Sequence, residues 1–224
     1  FGRAGYRIGI IRRSRDALEA MIADLADQGI AAAGYAADAH DPAALRGAIT
    51  DLAERLGGID VVHHAVPGPL GAGYGPMIDV DADLLRTFVD ARVISALVTA
   101  QAALPHLQRS RGALLFTTGP AGTIAHEGTG IVGVPQAALR MLTLHLRKEL
   151  AADGIFVGLL PVAGVPAYRD AAADAARTDI RADLALAHDR LSAADVAEAH
   201  FQLAAHRDRE EWTIGAAEHG LATR

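Results

Sequence analysis

Apolar residues recur at helical and strand spacings along the chain, and their pattern predicts an alternation of strands and helices. The most regular helical face is formed by leucines at three- and four-residue steps, namely Leu139, Leu142, Leu146 and Leu150. We expect this helix to begin just before Pro135 and to end at Gly154, because proline is favoured in the first turn and glycine directly after the last. A buried strand at residues 114–118 and a glycine-rich loop precede it.

Short apolar runs between turn residues predict the other strands. These lie at residues 7–12, 30–37, 59–65, 155–160 and 211–214. Amphipathic stretches predict further helices at residues 14–29, 41–57, 83–107 and 193–205, whereas residues 161–187 are irregular or partly helical. Because strands and helices alternate, we expect right-handed crossovers and a parallel sheet. The sequence therefore predicts an α/β fold over residues 1–224, a single domain with a doubly wound Rossmann-type parallel sheet flanked by helices. Ligands of such sheets bind beyond the carboxyl ends of the strands.

Composition narrows the class of protein. Hydrophobic residues make up 51% of the chain and aromatic residues 4%, so Ala, Leu, Val and Ile must fill the core. The net charge of −6 argues against a nucleic-acid partner, since phosphate binding needs a basic face. The chain has no cysteine, which excludes disulfides and thiolate nucleophiles and suits a reducing compartment. No apolar run approaches the roughly 18 residues of a membrane span. We expect a cytoplasmic protein without a membrane or nucleic-acid partner.

Six segments, taken in order, carry a resemblance to a known family. They are IGIIRRSRDALEAM, AADAHDPAAL, GGIDVVHHAVPG, LVTAQAALPHL, LSAADVAEAHFQLA and EWTIG. In their order and spacing they resemble the short-chain dehydrogenase/reductase family over nearly the whole chain. The resemblance implies a Rossmann fold, a nicotinamide cofactor and catalysis by a Tyr-x-x-x-Lys pair, assisted by a Ser and an Asn.

The catalytic residues of that family are replaced in this chain. The resemblance places the family's Ser, Tyr, Lys and Asn at Gly119, Val132, Gln136 and Arg92, respectively. The reaction of the family needs a phenol whose pKa is lowered by a neighbouring ammonium group, so that it can exchange a proton with the substrate oxygen. Valine has no such proton and glutamine has no charge. The sequence therefore predicts a degenerate member that lacks the proton relay.

The first strand of the family and its Gly-x-x-x-Gly-x-Gly turn have no counterpart in residues 1–224. In relatives this turn presses backbone amides against the cofactor pyrophosphate. The corresponding strand lies at the centre of the sheet, between those expected at residues 7–12 and 59–65. Since its omission would leave two unpaired strand edges, we expect an N-terminal segment to supply it.

Three residues are candidates for contact with a cofactor. Arg13 and Ser14 follow the second strand of the family, where relatives that use NADP place a basic residue against the 2′-phosphate, and Asp38 stands where the family contacts adenine. The alternative is a solvated arginine and a carboxylate that flanks a helix. We therefore expect the protein to bind either no cofactor or NADP.

Four residues are candidates for chemistry in the cleft. His126 and Glu127 lie in the loop that borders the substrate in relatives, and an adjacent imidazole and carboxylate can form a general acid/base pair. The alternative is a polar loop tip. Arg92 offers a fixed cation for a carboxylate, phosphate or enolate, or else a helix-surface ion pair with Asp90 or a neighbouring acid. Thr118 ends the buried strand.

A further set is expected to line the substrate site, namely His64, Gly119, Val132, Gln136 and Tyr168. Because His63 and His64 are neighbours on a strand, they point to opposite faces, and we expect His64 to face the cleft. His145 and Glu149 are four residues apart on a helix and form a surface pair rather than a metal site. No metal is expected.

Three hypotheses of function follow. The first is a cleft that binds a small organic molecule of carbonyl type and catalyses a non-redox step such as cyclisation, isomerisation or dehydration. The second is a non-catalytic partner of an active relative, and the third is an atypical NADP(H)-dependent oxidoreductase. The apolar helices at 93–107 and 136–151 favour a homodimer or homotetramer.

Overall fold

Strands and helices alternate in the computed structural model, which describes residues 1–69, 71–168, 171–177 and 190–215. The strands are β1 (Ile8–Arg12), β2 (Ala32–Ala36), β3 (Val61–His64), β4 (Ala113–Thr118), β5 (Phe156–Ala163), β6 (Val165–Pro166), β7 (Arg190–Leu191) and β8 (Ile214–Gly215). The helices are α1 (Arg15–Asp27), α2 (Pro42–Leu56), α3 (Ala82–Val89), α4 (Ser95–Ser110), α5 (Gly130–Leu150), α6 (Ala171–Ala175) and α7 (Ala193–His206). The predicted α/β fold is confirmed.

All the paired strands run parallel, but the sheet is divided. β1 pairs with β2, while β3, β4, β5 and β8 follow one another in a second, four-stranded part. Within the part of the chain that the structure describes, no strand joins β1 to β3. The gap lies where the sequence places the missing central strand.

The core lies on both faces of β4 and β5. Leu114 and Phe116 are fully buried against α4 and α5, whereas Leu115 points to the opposite face and packs against α7. A strand that is covered on both faces needs a nearly continuous apolar run, and this is what β4 and β5 have. The core therefore fixes the carboxyl ends of these two strands, and the polar residues of the cleft lie at these ends.

Helix caps fix the positions of the other elements. The side chains of Ser14, Asp41 and Ser192 each accept a hydrogen bond from a backbone N–H in the first turn of α1, α2 and α7. Gly57 ends α2 in the left-handed conformation, which a glycine adopts without strain. These three helix starts were predicted from the sequence.

Several boundaries differ from the sequence prediction. Helix α5 begins at Gly130, five residues before Pro135, because Ile131 and Val132 bury their side chains against Phe88 and so extend the helix toward its N-terminus. Strand β5 continues to Ala163, beyond the predicted end at 160. The last strand is Ile214–Gly215 rather than 211–214. The predicted region 161–187 lies partly outside the described residues.

The predicted helix at 83–107 consists of α3 and α4, joined by a π-helical segment at Asp90–Ile94. By length and composition alone, Ala82–Ser110 could cross a membrane, but half of its apolar window is buried inside the protein, as in the core helix of a globular domain. A π-helical turn often marks a functional site. Here it carries Arg92.

Candidate functional site

Buried polar side chains converge near the carboxyl ends of β3 and β4. The set comprises His64, Arg92, Thr118 and Gln136, all of which are at most 8% exposed. Each has a polar atom for which the described residues offer no hydrogen-bond partner, namely His64 Nδ1, Arg92 Nε, Thr118 Oγ1 and Gln136 Oε1. Unsatisfied buried polar atoms are uncommon and costly. Their concentration here marks the place where a ligand can supply the missing partners.

Arg92 is the most unusual member of this set. Its side chain is buried, and within the described residues no carboxylate forms an ion pair with it. Burial lowers the pKa of Arg92, and the neighbouring Tyr74 opposes this change. Asp90 is exposed. A surface ion pair between Asp90 and Arg92 is therefore not what the described residues show, and the role of Arg92 toward a ligand stays a prediction.

His64 and Ser95 form a hydrogen-bonded pair beside Arg92. His64 Nε2 lies 2.7 Å from Ser95 Oγ, and the Ser95 hydroxyl donates to the backbone carbonyl of Ala91. Because that proton is committed, the Ser95 oxygen must accept from the N–H at His64 Nε2. Burial, followed by the charge of Arg92, lowers the pKa of His64 to about 4. His64 is thus a neutral imidazole whose Nδ1 is left as a proton acceptor.

Gly119 and Gln136 fit each other closely. A Cβ atom at Gly119 would lie 2.8 Å from Gln136 Nε2, so any larger residue there requires the amide to move. The turn Pro120–Gly122 also packs tightly on α5, since a Cβ at Gly122 would come within 3.0 Å of the Gln136 backbone. The glutamine amide thus occupies the space beside Gly119, where the resemblance places the family's Ser. Val132 is buried with Phe88, and its place in the substrate site stays a prediction.

A second polar network lies on the opposite face of the sheet. His63 Nε2 is 2.7 Å from Thr117 Oγ1, which lies 2.9 Å from His200 Nε2, and His200 Nδ1 is 2.8 Å from the Val196 carbonyl. Burial lowers the pKa of His200. Neutral His200 donates from Nδ1 and accepts the Thr117 hydroxyl proton, so Thr117 accepts from His63. This confirms that His63 and His64 point to opposite faces. The network does not join the cleft set.

Three predicted site residues lie apart from the buried set. His126 and Glu127 are exposed in the loop before α5, and no hydrogen bond or ion pair between their side chains is found among the described residues. Tyr168 is 51% exposed and lies over the Arg177 guanidinium at 4.2 Å. The structure therefore does not bring these residues together with Arg92, and their assignments stay predictions.

Sequence reasoning missed Ser95, Thr117 and His200. Ser95 stands three residues after Arg92, a helical spacing from which the sequence could have placed both side chains on the same face. Thr117 and His200 are 83 residues apart and meet only in the folded protein. No group of His, Asp and Glu side chains that could hold a metal ion occurs among the described residues.

The expected cofactor residues lie at the carboxyl ends of β1 and β2. The Arg13 side chain is 72% exposed and approaches Asp38 at 3.9 Å. Asp38 accepts hydrogen bonds from the backbone N–H of His40 and bonds its ring, which together lower the pKa of Asp38. The Ser14 hydroxyl caps α1. The exposed Arg13 fits a 2′-phosphate, whereas the described residues between β1 and β3 contain no glycine turn for a pyrophosphate. The fit to NADP is thus partial.

Comparison with protein families gives a match over residues 1–216 to the family described as Enoyl-(Acyl carrier protein) reductase. A serine 3-dehydrogenase of Rhizobium radiobacter is 27% identical over 157 residues, which are 70% of this chain and 61% of that protein. A hydroxysteroid 11-beta-dehydrogenase 1-like protein of Danio rerio is 28% identical over 162 residues, 71% of this chain and 50% of that protein. The chain thus spans between half and about three-fifths of these curated relatives.

Solved structures share the fold. A short-chain dehydrogenase of Burkholderia cenocepacia in complex with NADP is 25% identical, with a TM-score of 0.78 over 95% of this chain and 87% of that one. An alcohol dehydrogenase of Thermococcus sibiricus complexed with 5-hydroxy-NADP is 19% identical, with a TM-score of 0.80 over 96% of this chain and 88% of that one. Both similarities extend over nearly the whole described chain.

Proposed function

Because the chain belongs to the short-chain dehydrogenase/reductase family, we propose that it keeps the family's cleft but uses it for chemistry other than hydride transfer. The proposed ligand is a small carbonyl compound that carries a carboxylate or a similar anionic group. The proposed step is a non-redox one that passes through an enolate, such as isomerisation or dehydration. Val132 and Gln136, which stand at the family's Tyr and Lys positions, support the loss of the proton relay.

The buried Arg92, which has no ion-pair partner among the described residues, carries this proposal. A cation that is removed from water and has no carboxylate beside it is costly unless a ligand supplies the negative charge. A guanidinium presents several N–H donors in a fixed plane and binds carboxylates and enolates well. In the low dielectric of the cleft, it stabilises negative charge that develops on a substrate oxygen.

His64 is the proposed proton acceptor. Its Nδ1 has a free lone pair, and the hydrogen bond with Ser95 holds the ring in the tautomer with the proton on Nε2. In the proposed step, the C–H bond next to the substrate carbonyl breaks. The proton moves to Nδ1, and the electron pair moves toward the carbonyl oxygen, where Arg92 stabilises it. Gln136 and Thr118 supply further polar atoms that orient the ligand.

Proton exchange on a simple 2-oxo acid tests this function. Pyruvate is incubated in D₂O with the protein, and loss of its methyl proton signal is followed by NMR. We expect the protein to accelerate exchange above the rate in buffer alone. His64→Gln should reduce this acceleration about 100-fold or more, since general base catalysis contributes about this much. An exchange rate equal to that in buffer would contradict the proposal. Loss in His126→Ala, with His64→Gln unaffected, would refute the assignment of the base.

A second candidate function is NADP-dependent oxidoreduction, which the exposed Arg13 and the NADP complexes of similar structures favour. In that case Arg13 would hold the 2′-phosphate, and a proton would come from His126 or water. The bound nicotinamide would supply the hydride. Titration of NADPH, followed by fluorescence of Trp212, tests this candidate, and the absence of saturable binding by the full-length protein would end it.

A third candidate is assembly with another chain of this fold, either a second copy or an active relative. Large apolar side chains on the predicted interface helices support it: Met141 is 55% exposed and Val134 is 48% exposed, both on α5, and Ile94 just before α4 is 39% exposed. Exposed apolar patches of this kind mark interaction surfaces. The cytoplasm remains the proposed compartment.

A further inference from the structure

A tyrosine reaches the cleft from the glycine-rich loop between β3 and α3. Tyr74 is partly buried, and its ring packs on the apolar cluster of Phe88, Ile131 and Val132. Val132 stands where the resemblance places the catalytic tyrosine of the family. The cluster that lost one phenol at Val132 is therefore covered by another phenol, which comes from a different part of the chain.

Backbone contacts hold this loop in place. Gly73 has a left-handed backbone, and a Cβ atom there would lie only 3.0 Å from the side chain of Ile131 in α5. The Gly75 N–H donates a hydrogen bond of 3.0 Å to the Gly128 carbonyl in the loop before α5. Glycine adopts a positive φ without strain and leaves room for close packing. Both neighbours of Tyr74 are thus fixed against α5 or the loop that precedes it.

Arg92 interacts electrostatically with both Tyr74 and His64. Burial lowers the pKa of Arg92, and the negative charge of an ionised Tyr74 phenol opposes this change, so the two groups lie within electrostatic reach. Burial, followed by the charge of Arg92, lowers the pKa of His64. A phenol, a cation and a neutral imidazole therefore share one cleft.

These three groups match the needs of a reaction that forms an enol. A C–H bond next to a carbonyl breaks more easily when the carbonyl oxygen gains positive charge beside it or receives a proton. The guanidinium supplies the charge, whereas the function proposed above leaves the source of the proton open. A phenol has a proton to give, and a cation beside it stabilises the phenolate that remains.

We propose that Tyr74 is the acid of the cleft and protonates the carbonyl oxygen of a bound 2-oxo acid while His64 removes a proton from the adjacent carbon. This inference rests on the proposed function. The C–H bond breaks, its proton goes to His64 Nδ1, and its electron pair forms the C=C bond of the enol. The electron pair of the C=O π bond takes the proton of the Tyr74 hydroxyl, and the phenolate remains near Arg92. In D₂O, exchange of the His64 proton with solvent and reversal of both transfers place deuterium on the carbon.

Tyr74→Phe tests the proposal, because it keeps the ring on the apolar cluster and removes only the hydroxyl. The acceleration of methyl proton exchange in pyruvate, followed by NMR, should fall about 100-fold, as it does when one donor to a developing oxyanion is removed. The affinity for pyruvate, measured by isothermal titration calorimetry, should change less than about twofold, since the interaction strengthens only as charge develops. Tyr35→Phe is the matched control. Tyr35 lies on β2 and is 37% exposed, so its variant should behave like the native protein.

Oxalate provides a measurement that does not depend on turnover. It resembles the enolate of pyruvate, because it carries negative charge on the oxygen that the phenol is proposed to meet. Tyr74→Phe should bind oxalate about tenfold or more weakly than the native protein does, since a hydrogen bond to a charged group contributes about this much. Tyr35→Phe should bind oxalate like the native protein.

The two measurements separate this inference from the function on which it rests. If the native protein and Tyr74→Phe accelerate exchange equally, or bind oxalate equally, the inference is overturned and the proposed function stands. If Tyr74→Phe loses affinity for pyruvate and oxalate to the same extent, the inference is also overturned, because the hydroxyl then serves binding alone. If the native protein does not accelerate exchange, the proposed function fails and the catalytic role of Tyr74 fails with it.

Discussion

The substitution Arg92→Met should make the protein more stable while it abolishes the binding of anionic ligands. Methionine matches the length of the arginine stem and fills irregular space, so the core loses little packing. Arg92 is 8% exposed and has no ion-pair partner among the described residues, so the folded state bears the full cost of desolvating its charge. Replacing even a buried ion pair by apolar side chains of similar volume is often neutral or stabilising by about 1–4 kcal/mol, and a buried charge without an ion partner costs more.

The expected effect is an increase of about 1–3 kcal/mol in the free energy of unfolding. For a domain of this size, 1 kcal/mol moves the melting temperature by about 2–4 °C, so the increase should be about 2–12 °C. Differential scanning calorimetry measures it. Arg86→Met is the matched control: the Arg86 side chain is 72% exposed, and its loss should change stability by no more than about 0.5 kcal/mol. A melting temperature that falls in Arg92→Met but not in Arg86→Met would refute the reasoning, because Arg92 would then have a stabilising partner.

Three further predictions follow from the same geometry. Burial lowers the pKa of His64 from 6.5 to about 4, so the stability it confers is complete above pH 6.5 and is lost as the pH falls toward 4. Between pH 7.5 and pH 5, His64 should contribute about 2 kcal/mol to the loss of unfolding free energy in urea, in addition to the losses from His63 and His200, whose pKa values burial also lowers. His64→Gln should remove the His64 share, and an unchanged pH dependence in that variant would contradict the assignment. Gly122→Ala places a Cβ 3.0 Å from the Gln136 backbone and should lower the free energy of unfolding, measured in urea, by about 1–3 kcal/mol. An unchanged free energy would show that the turn is not held against α5. Met141→Asp, at a position that is 55% exposed, should lower the oligomeric mass in light scattering if α5 forms the interface, and an unchanged mass would exclude this surface.

The order of elements was predictable because buried parallel strands and amphipathic helices have distinct periods. Ser14, Asp41 and Ser192 were recognisable as helix caps for the same reason, since a cap depends on a few neighbouring residues. The open position between β1 and β3 also followed from the sequence, because the order of the segments left one strand unaccounted for.

The polar contacts were less predictable. The sequence allowed both a surface ion pair and a buried cation at Arg92, and only the folded structure shows that its side chain is buried. The His63–Thr117–His200 network joins three distant parts of the chain and leaves no local pattern. His126 and Glu127 suggested a pair because they are adjacent, yet adjacent residues in an exposed loop need not converge.

Ligand binding at Arg92 is the most direct test of the proposed function, because the chemistry requires an anionic ligand that pairs with the buried guanidinium. Isothermal titration calorimetry compares pyruvate with acetone, which has the same carbonyl group but no carboxylate. We predict measurable binding of pyruvate to the native protein, no detectable binding of acetone, and no binding of pyruvate to Arg92→Met. Equal binding of pyruvate to the native protein and to Arg92→Met, or its absence from both, would contradict the account.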